Sequence, residues 1–236
     1  MLKKSLAVSA LAMMVSASFA TFTGVTSSAA LGGNDFIDWS QFGPAFTGVT
    51  SGSFGLTNGG RLFQVISDNG FGSDDGGALT RLDEGNGWTG EFQPGDALLW
   101  HQNSFKNDFS VTSDLELIFF SNDIIGVGTQ SQANAGGNFT SFAGYWNPYP
   151  GNPIGFTQNS GVNNVGTHNG SAYTGGYTDG AIISQFFVVS SMDDGSDNFG
   201  FAVGRIDLKT SPVPEPASMT ILGMGALALV RRRRKN

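Results

Sequence analysis

Two histidines, His101 and His168, are the side chains of this 236-residue chain best matched to proton transfer near neutral pH. His101 follows Leu99-Trp100 at an expected strand end, and His168 sits in the polar stretch "NNVGTHNG". Serines and aspartates are plentiful, so a Ser-His-Asp set stays open, yet no G-x-S-x-G elbow frames a nucleophile. There is no H-E-x-x-H pair and no cysteine, which argues against a catalytic zinc and removes thiolate chemistry. Carboxylate pairs flank Trp88, namely Asp83/Glu84 and Glu91/Asp96. Held about 5 or about 6.5–9.5 Å apart, two such groups hydrolyse glycosides. Acids in a turn-rich stretch are also what a solvated surface needs. The histidines read as ordinary loop residues, and the chain reads as no enzyme.

Two binding chemistries remain. Hard cations take six to eight oxygens from acidic loops. "SDNGFGSDDGG" (67–77) and "DDGSDN" (193–198) offer Asp74, Asp75, Asp193, Asp194 and Asp197 to a structural Ca²⁺. Neither loop has the EF-hand frame, and Asp and Asn also favour turns by bonding their own backbone. No other cofactor is implied. Carbohydrate would need aromatic faces in solvent: Trp88, Tyr145, Trp146 and Tyr149 are the candidates, the last three in or beside "YWNPYPGNP". The competing placement has tryptophans plugging the ends of a sandwich.

These residues need a scaffold, and composition indicates which. Glycine occurs 35 times and phenylalanine 20 times, while charged residues make up only 13%. Apolar or alternating runs of strand length recur between turn clusters: 61–66, 97–101, 114–120, 124–128, 138–146, 181–191 and 199–208. "LELIFF" and "IISQFFVV" favour strand over helix at that length, and no helical stripe stands out. The expectation is an all-β, two-sheet β-sandwich or jelly roll over residues 31–210. That stretch holds five basic and eighteen acidic residues, a formal −13. Nucleic acid, which demands a positive footprint, is excluded as a partner.

The basic residues collect at the ends. "MLKKSLAVSALAMMVSASFA" has a charged start, an apolar core from Leu6 to Val15 and small residues at Ser18 and Ala20. This is the build of a secretory signal cut before Thr21, or as late as Ala30, by signal peptidase after passage through the secretion machinery. At the other end Ala217 to Val230 is uncharged over fourteen residues, roughly 21 Å as a helix. That is short of a ~30 Å hydrocarbon core. Arg231, Arg232, Arg233, Arg234 and Lys235 would hold its far end in the cytoplasm. Val213, Pro214, Glu215 and Pro216 precede it, extended by their prolines. Signal helix, sandwich and short C-terminal transmembrane helix would follow in that order.

"VPEPAS", the short apolar span and "RRRRK" resemble the PEP-CTERM sorting signal, over about residues 211–236. The resemblance implies an exosortase as partner, cutting near Pro214-Glu215-Pro216. It implies a protein tethered briefly in the inner membrane, then passed to the surface or extracellular matrix of a Gram-negative-type bacterium that makes exopolysaccharide. The order from "DFIDWSQFGP" through "GWTGEFQPGDALLW" to "ISQFFVVSSMDDGSDNFGFAVGRIDL" also resembles a recurrent ectodomain of such proteins. The expected function is a non-enzymatic surface or biofilm-matrix protein. The alternative is a carbohydrate-binding module or carbohydrate-active enzyme of the envelope.

Overall fold

The computed structural model describes residues 20–68, 78–102, 114–147, 153–163, 171–193 and 200–211. In chain order the strands begin with β1 (Phe22–Val25), β2 (Asp35–Ile37), β3 (Thr47–Val49), β4 (Ser53–Leu56) and β5 (Leu62–Asp68). Next come β6 (Ala78–Glu84), β7 (Gly87–Trp88), β8 (Ala97–Gln102), β9 (Asp114–Phe119) and β10 (Ile124–Ala133). Then follow β11 (Gly137–Trp146), β12 (Pro153–Asn163), β13 (Ala172–Thr178), β14 (Gln185–Met192) and β15 (Phe201–Thr210). A nine-stranded sheet runs β1-β13-β10-β15-β8-β6-β3, with β2 added to β15 and β7 to β6. A six-stranded sheet runs β12-β11-β14-β9-β5-β4. The all-β two-sheet architecture is the one expected; the terminal helices fall outside the described residues.

Alternation of apolar and polar side chains turns one face of each sheet inward. Phe63, Val65, Leu115, Leu117, Tyr145, Phe186 and Val188 meet Leu99, Val127, Val203, Ile206 and Leu208 in one cluster. Trp39 joins it from a 3-10 turn (Trp39–Phe42), its indole N–H donating to the Gly204 carbonyl at 2.7 Å. Polar groups caught between the sheets satisfy one another: the hydroxyls of Ser131, Ser141 and Ser190 form a closed ring with spacings of 2.8 to 3.0 Å.

The outer face of the nine-stranded sheet has two covers. One is helix α1 (Ser28–Leu31), which brings fully buried Leu31 against β10 and β13. The Ser27 hydroxyl accepts from the Ala30 N–H, and Gly32 closes the helix at φ 63°, where glycine has no Cβ penalty. The other is the segment 85–96, whose Trp88 and Phe92 pack on Leu82, Leu98 and Ala202. The outer face of the six-stranded sheet instead leaves Phe54, Leu56, Leu62 and Phe156 exposed.

The folded unit begins earlier than residue 31. β1 pairs with β13 over four residues, and the Phe22 ring lies 4.9 Å from Tyr145, over the bare backbone of Gly155 and Gly176. Thr21 donates its amide and hydroxyl hydrogens to the Asp179 carboxylate at 2.7 and 2.6 Å. Phe22 pairs with Thr178, Gly126 with Tyr177, and Ile124 with Thr210. The first strand therefore starts, and the last strand finishes, at the same end of the sandwich.

Candidate functional site

β15 runs between β10 and β8 and carries the chain out at that shared end. Thr210 donates from its amide and hydroxyl to Asn34 Oδ1 at 2.9 and 3.1 Å, and the Ser211 amide donates to the Asp123 carbonyl at 2.7 Å. Beside this exit Arg61 bridges two carboxylates. Its Nη1 meets Asp35 Oδ2 at 2.9 Å, and its Nε and Nη2 fork onto Asp123 at 3.0 and 2.5 Å. The Arg61 hydrogen bond holds the Asp123 carboxyl below its ordinary range. Burial pushes Asp35 the other way, but hydrogen bonds from Thr57, Gly59, Phe36 and Arg61 outweigh it and leave Asp35 lowered too. The exit is thus anchored, and the residues that follow, Val213 through Lys235, lie outside the described residues.

Between the two covers of the nine-stranded sheet lies a polar cleft of about 590 Å³. α1 and its approach contribute Thr26, Ser27 and Ser28 to one wall, and Gln93 and Asp96 stand on the other. Gln130, Tyr173, Arg205 and Asp207 form the floor. Gly128 and Gly175 make the floor possible: a Cβ at either would strike the Tyr173 side chain, which lies across them. The Tyr173 hydroxyl donates to Asp207 Oδ2 at 3.3 Å, while Arg205 holds Oδ1 at 2.9 to 3.0 Å. Burial, with the Asp207 charge beside it, raises the Tyr173 phenol, so it stays a donor. Facing donors and acceptors in an open polar cleft suit a ligand rich in hydroxyls.

The expected site residues are scattered. Trp88 is 5% exposed and Tyr145 0%, so both are core residues and present no face to a sugar. The reason is packing: Trp88 roofs Leu98, and Tyr145 is wedged between Phe22 and Phe186 with its hydroxyl 3.0 Å from Thr157. Trp146 is half-buried on the outer side of β11, its ring 4.8 Å from Phe187 and 5.6 Å from Phe156. Gly144 leaves the space those rings need. Tyr149 lies outside the described residues. So do Asp74, Asp75, Asp194 and Asp197 of the Ca²⁺ loops, and His168. Asp193 is exposed and accepts from the Thr140 hydroxyl at 2.7 Å. Among the described residues no three acidic or histidine side chains gather as a metal site would require.

His101 is no loop residue. It is fully buried between the sheets, stacked on Phe201, with Nε2 2.8 Å from the Ser67 hydroxyl. Burial lowers its pKa to about 4, so the ring is neutral at pH 7. Of the carboxylates, Asp83 pairs with Arg81, and Glu84 is buried and accepts from the Gly90 amide at 3.0 Å. Glu91 is buried as well, while Asp96 borders the cleft. Sequence reasoning passed over Tyr173, Arg205 and Asp207. The available sign was a tyrosine two residues before paired glycines in "AYTGGYT", where a ring can lie on bare backbone.

Comparison with known proteins speaks to the tail first. Residues 212–235 match the PEP-CTERM protein-sorting motif. The chain thus carries a PEP-CTERM signal, which implies an exported protein with a C-terminal membrane-anchoring signal and processing by an exosortase. No curated protein matches the sequence. Solved structures are similar, among them these two. One is a DUF4465 family protein from Bacteroides caccae, 12% identical, TM-score 0.38, covering 79% of this chain and 100% of that one. The other is the enzymatically active domain of tailspike protein 4 of bacteriophage CBA120, 8% identical, TM-score 0.31, covering 63% of this chain and 19% of that one.

Proposed function

We propose that this protein is exported, processed by an exosortase, and serves without catalysis at the surface or in the extracellular matrix of a Gram-negative-type bacterium. The observation that carries the reading is the junction between domain and address. β15 ends at Thr210 and the matched motif opens at residue 212, so Ser211 alone separates them. A β-sandwich anchored so close to its sorting signal is cargo for that signal. The N-terminal leader is removed before Thr21, because a cut after Ala30 would discard β1 and most of α1 from the folded unit. The test is expression in a host with an exosortase. Glu215→Ala should leave the chain unprocessed and retained in the membrane fraction; unchanged processing would defeat the proposal.

The polar cleft favours a second reading, a carbohydrate-binding module. Its donors and acceptors at Arg205, Asp207, Gln130 and Asp96 fit sugar hydroxyls better than any apolar ligand. Glycan-array binding of the exported protein should then be lost in Asp207→Asn. No binding to any glycan would remove this reading while leaving the first intact.

A further inference from the structure

Near the shared end, the outer face of the six-stranded sheet exposes an apolar patch. Phe54, Leu56, Leu62 and Phe120 are 57, 55, 42 and 53% exposed. They are contiguous: Leu56 pairs with Leu62, the Phe120 amide donates to the Leu62 carbonyl, and the Phe54 and Phe120 rings lie 5.9 Å apart. Arg61, next to Leu62, grips Asp123, whose carbonyl receives the Ser211 amide. The patch therefore adjoins the point where the chain enters its sorting signal. The six residues 211–216, however they run, reach at most roughly 20 Å before the apolar stretch from Ala217 begins.

We propose that Phe54, Leu56, Leu62 and Phe120 form a membrane-interface surface, seating the sandwich on the headgroup–acyl boundary of the bilayer that holds its C-terminal signal. The inference rests on reading the tail as membrane-held. Aromatic and aliphatic side chains at the foot of a tethered domain are suited to that boundary. Attraction to anionic lipid is not the driving force, since residues 31–210 carry a formal −13. The charges at the patch edge are already engaged, Asp35 and Asp123 with Arg61. Four side chains would bind a membrane weakly from solution, but the tail makes the contact intramolecular and raises the local concentration of lipid. Leader and tail leave the same end, so one orientation places both at the membrane before the leader is removed.

The chain has no cysteine, so single labels are clean. Full-length protein with its tail is placed in phosphatidylcholine nanodiscs, with a nitroxide at Phe120→Cys or Leu56→Cys. Val162→Cys, exposed on the second half of β12, and Ala226→Cys in the tail serve as references. The ratio of collisions with oxygen to collisions with a water-soluble nickel chelate should be severalfold higher at 120 and 56 than at 162. Equal ratios at 120, 56 and 162, with 226 in lipid, overturn the proposal. Shielding of 120 and 56 from both reagents would show a second copy covering the patch and overturn it too. If 226 itself reports water, the reading of the tail fails, and the proposal goes with it.

Discussion

On the nine-stranded sheet the outward side chains Leu98 and Ala202 lie beneath Trp88 and Phe92; on the six-stranded sheet the outward Phe54 and Phe156 remain in solvent. Both sheets alternate in the same way and bury their inner faces in one cluster. The difference lies in what the connections do. Residues 26–34 and 85–96 fold back across the first sheet, and where they fail to meet they leave the polar cleft. A covered face supports stability and can be cut into a specific site. An apolar face left open needs another explanation, and the adjoining exit toward the sorting signal supplies one.

The largest expected effect lies on the covered face. Phe92 is fully buried in the smaller cluster, so Phe92→Ala removes its apolar contacts and leaves a cavity. The loss should be about 3–5 kcal/mol, read as a drop in the denaturant midpoint. A loss near zero would mean the 85–96 cover is not packed, and the two faces would then be alike.

Between the faces sits His101, and it predicts a pH response. Its folded pKa of about 4 lies below the ordinary 6.5. The unfolded chain therefore binds the extra proton first as pH falls. This group's contribution is complete above about pH 6.5 and is lost progressively toward pH 4, by about 3 kcal/mol. Denaturant midpoints measured from pH 7 to pH 4 should fall accordingly, and His101→Gln should flatten that part of the profile. The same slope in the variant would show that the sandwich interior is not what sets it. The lowered Asp35 and Asp123 carboxyls act the same way at lower pH.

Strands with alternating apolar residues were legible. The expected 114–120 and 138–146 are β9 and β11 nearly residue for residue, because Leu and Phe recur at every second position of β9, and Phe139 and Tyr145 keep the same parity in β11, the period of a pleat. β12 and β13 were not. "PIGFTQNSGVN" and "AYTGGYT" carry the glycines and amides of turns. Gly155, Gly161 and Gly176 are there because the rings of Phe22 and Phe139 occupy the space a Cβ would take. Such glycines answer to a partner distant in sequence, which local pattern does not see. The tail motif was legible because its three parts are contiguous. The cleft was hidden because its floor comes from β10, β13 and β15 and its walls from two connections and from β12. His101 was misjudged for the same reason: its burial depends on β5 and β15, not on its neighbours in "LLWHQN".

The smallest expected effect lies on the open face. Phe54 is more than half exposed and meets the Phe120 ring at 5.9 Å. Phe54→Ser should therefore cost within about 1 kcal/mol, the worth of one aromatic pair at a wet site. Stability measured on detergent-free mature protein is the check. A loss as large as at Phe92 would mean that other parts of the chain cover this face, and the membrane would then have no claim on it. A small loss, joined to weaker lipid contact at position 120 in the same variant, separates the two roles. One sheet would hold its apolar outer residues for the fold, and the other would hold them for a surface outside it.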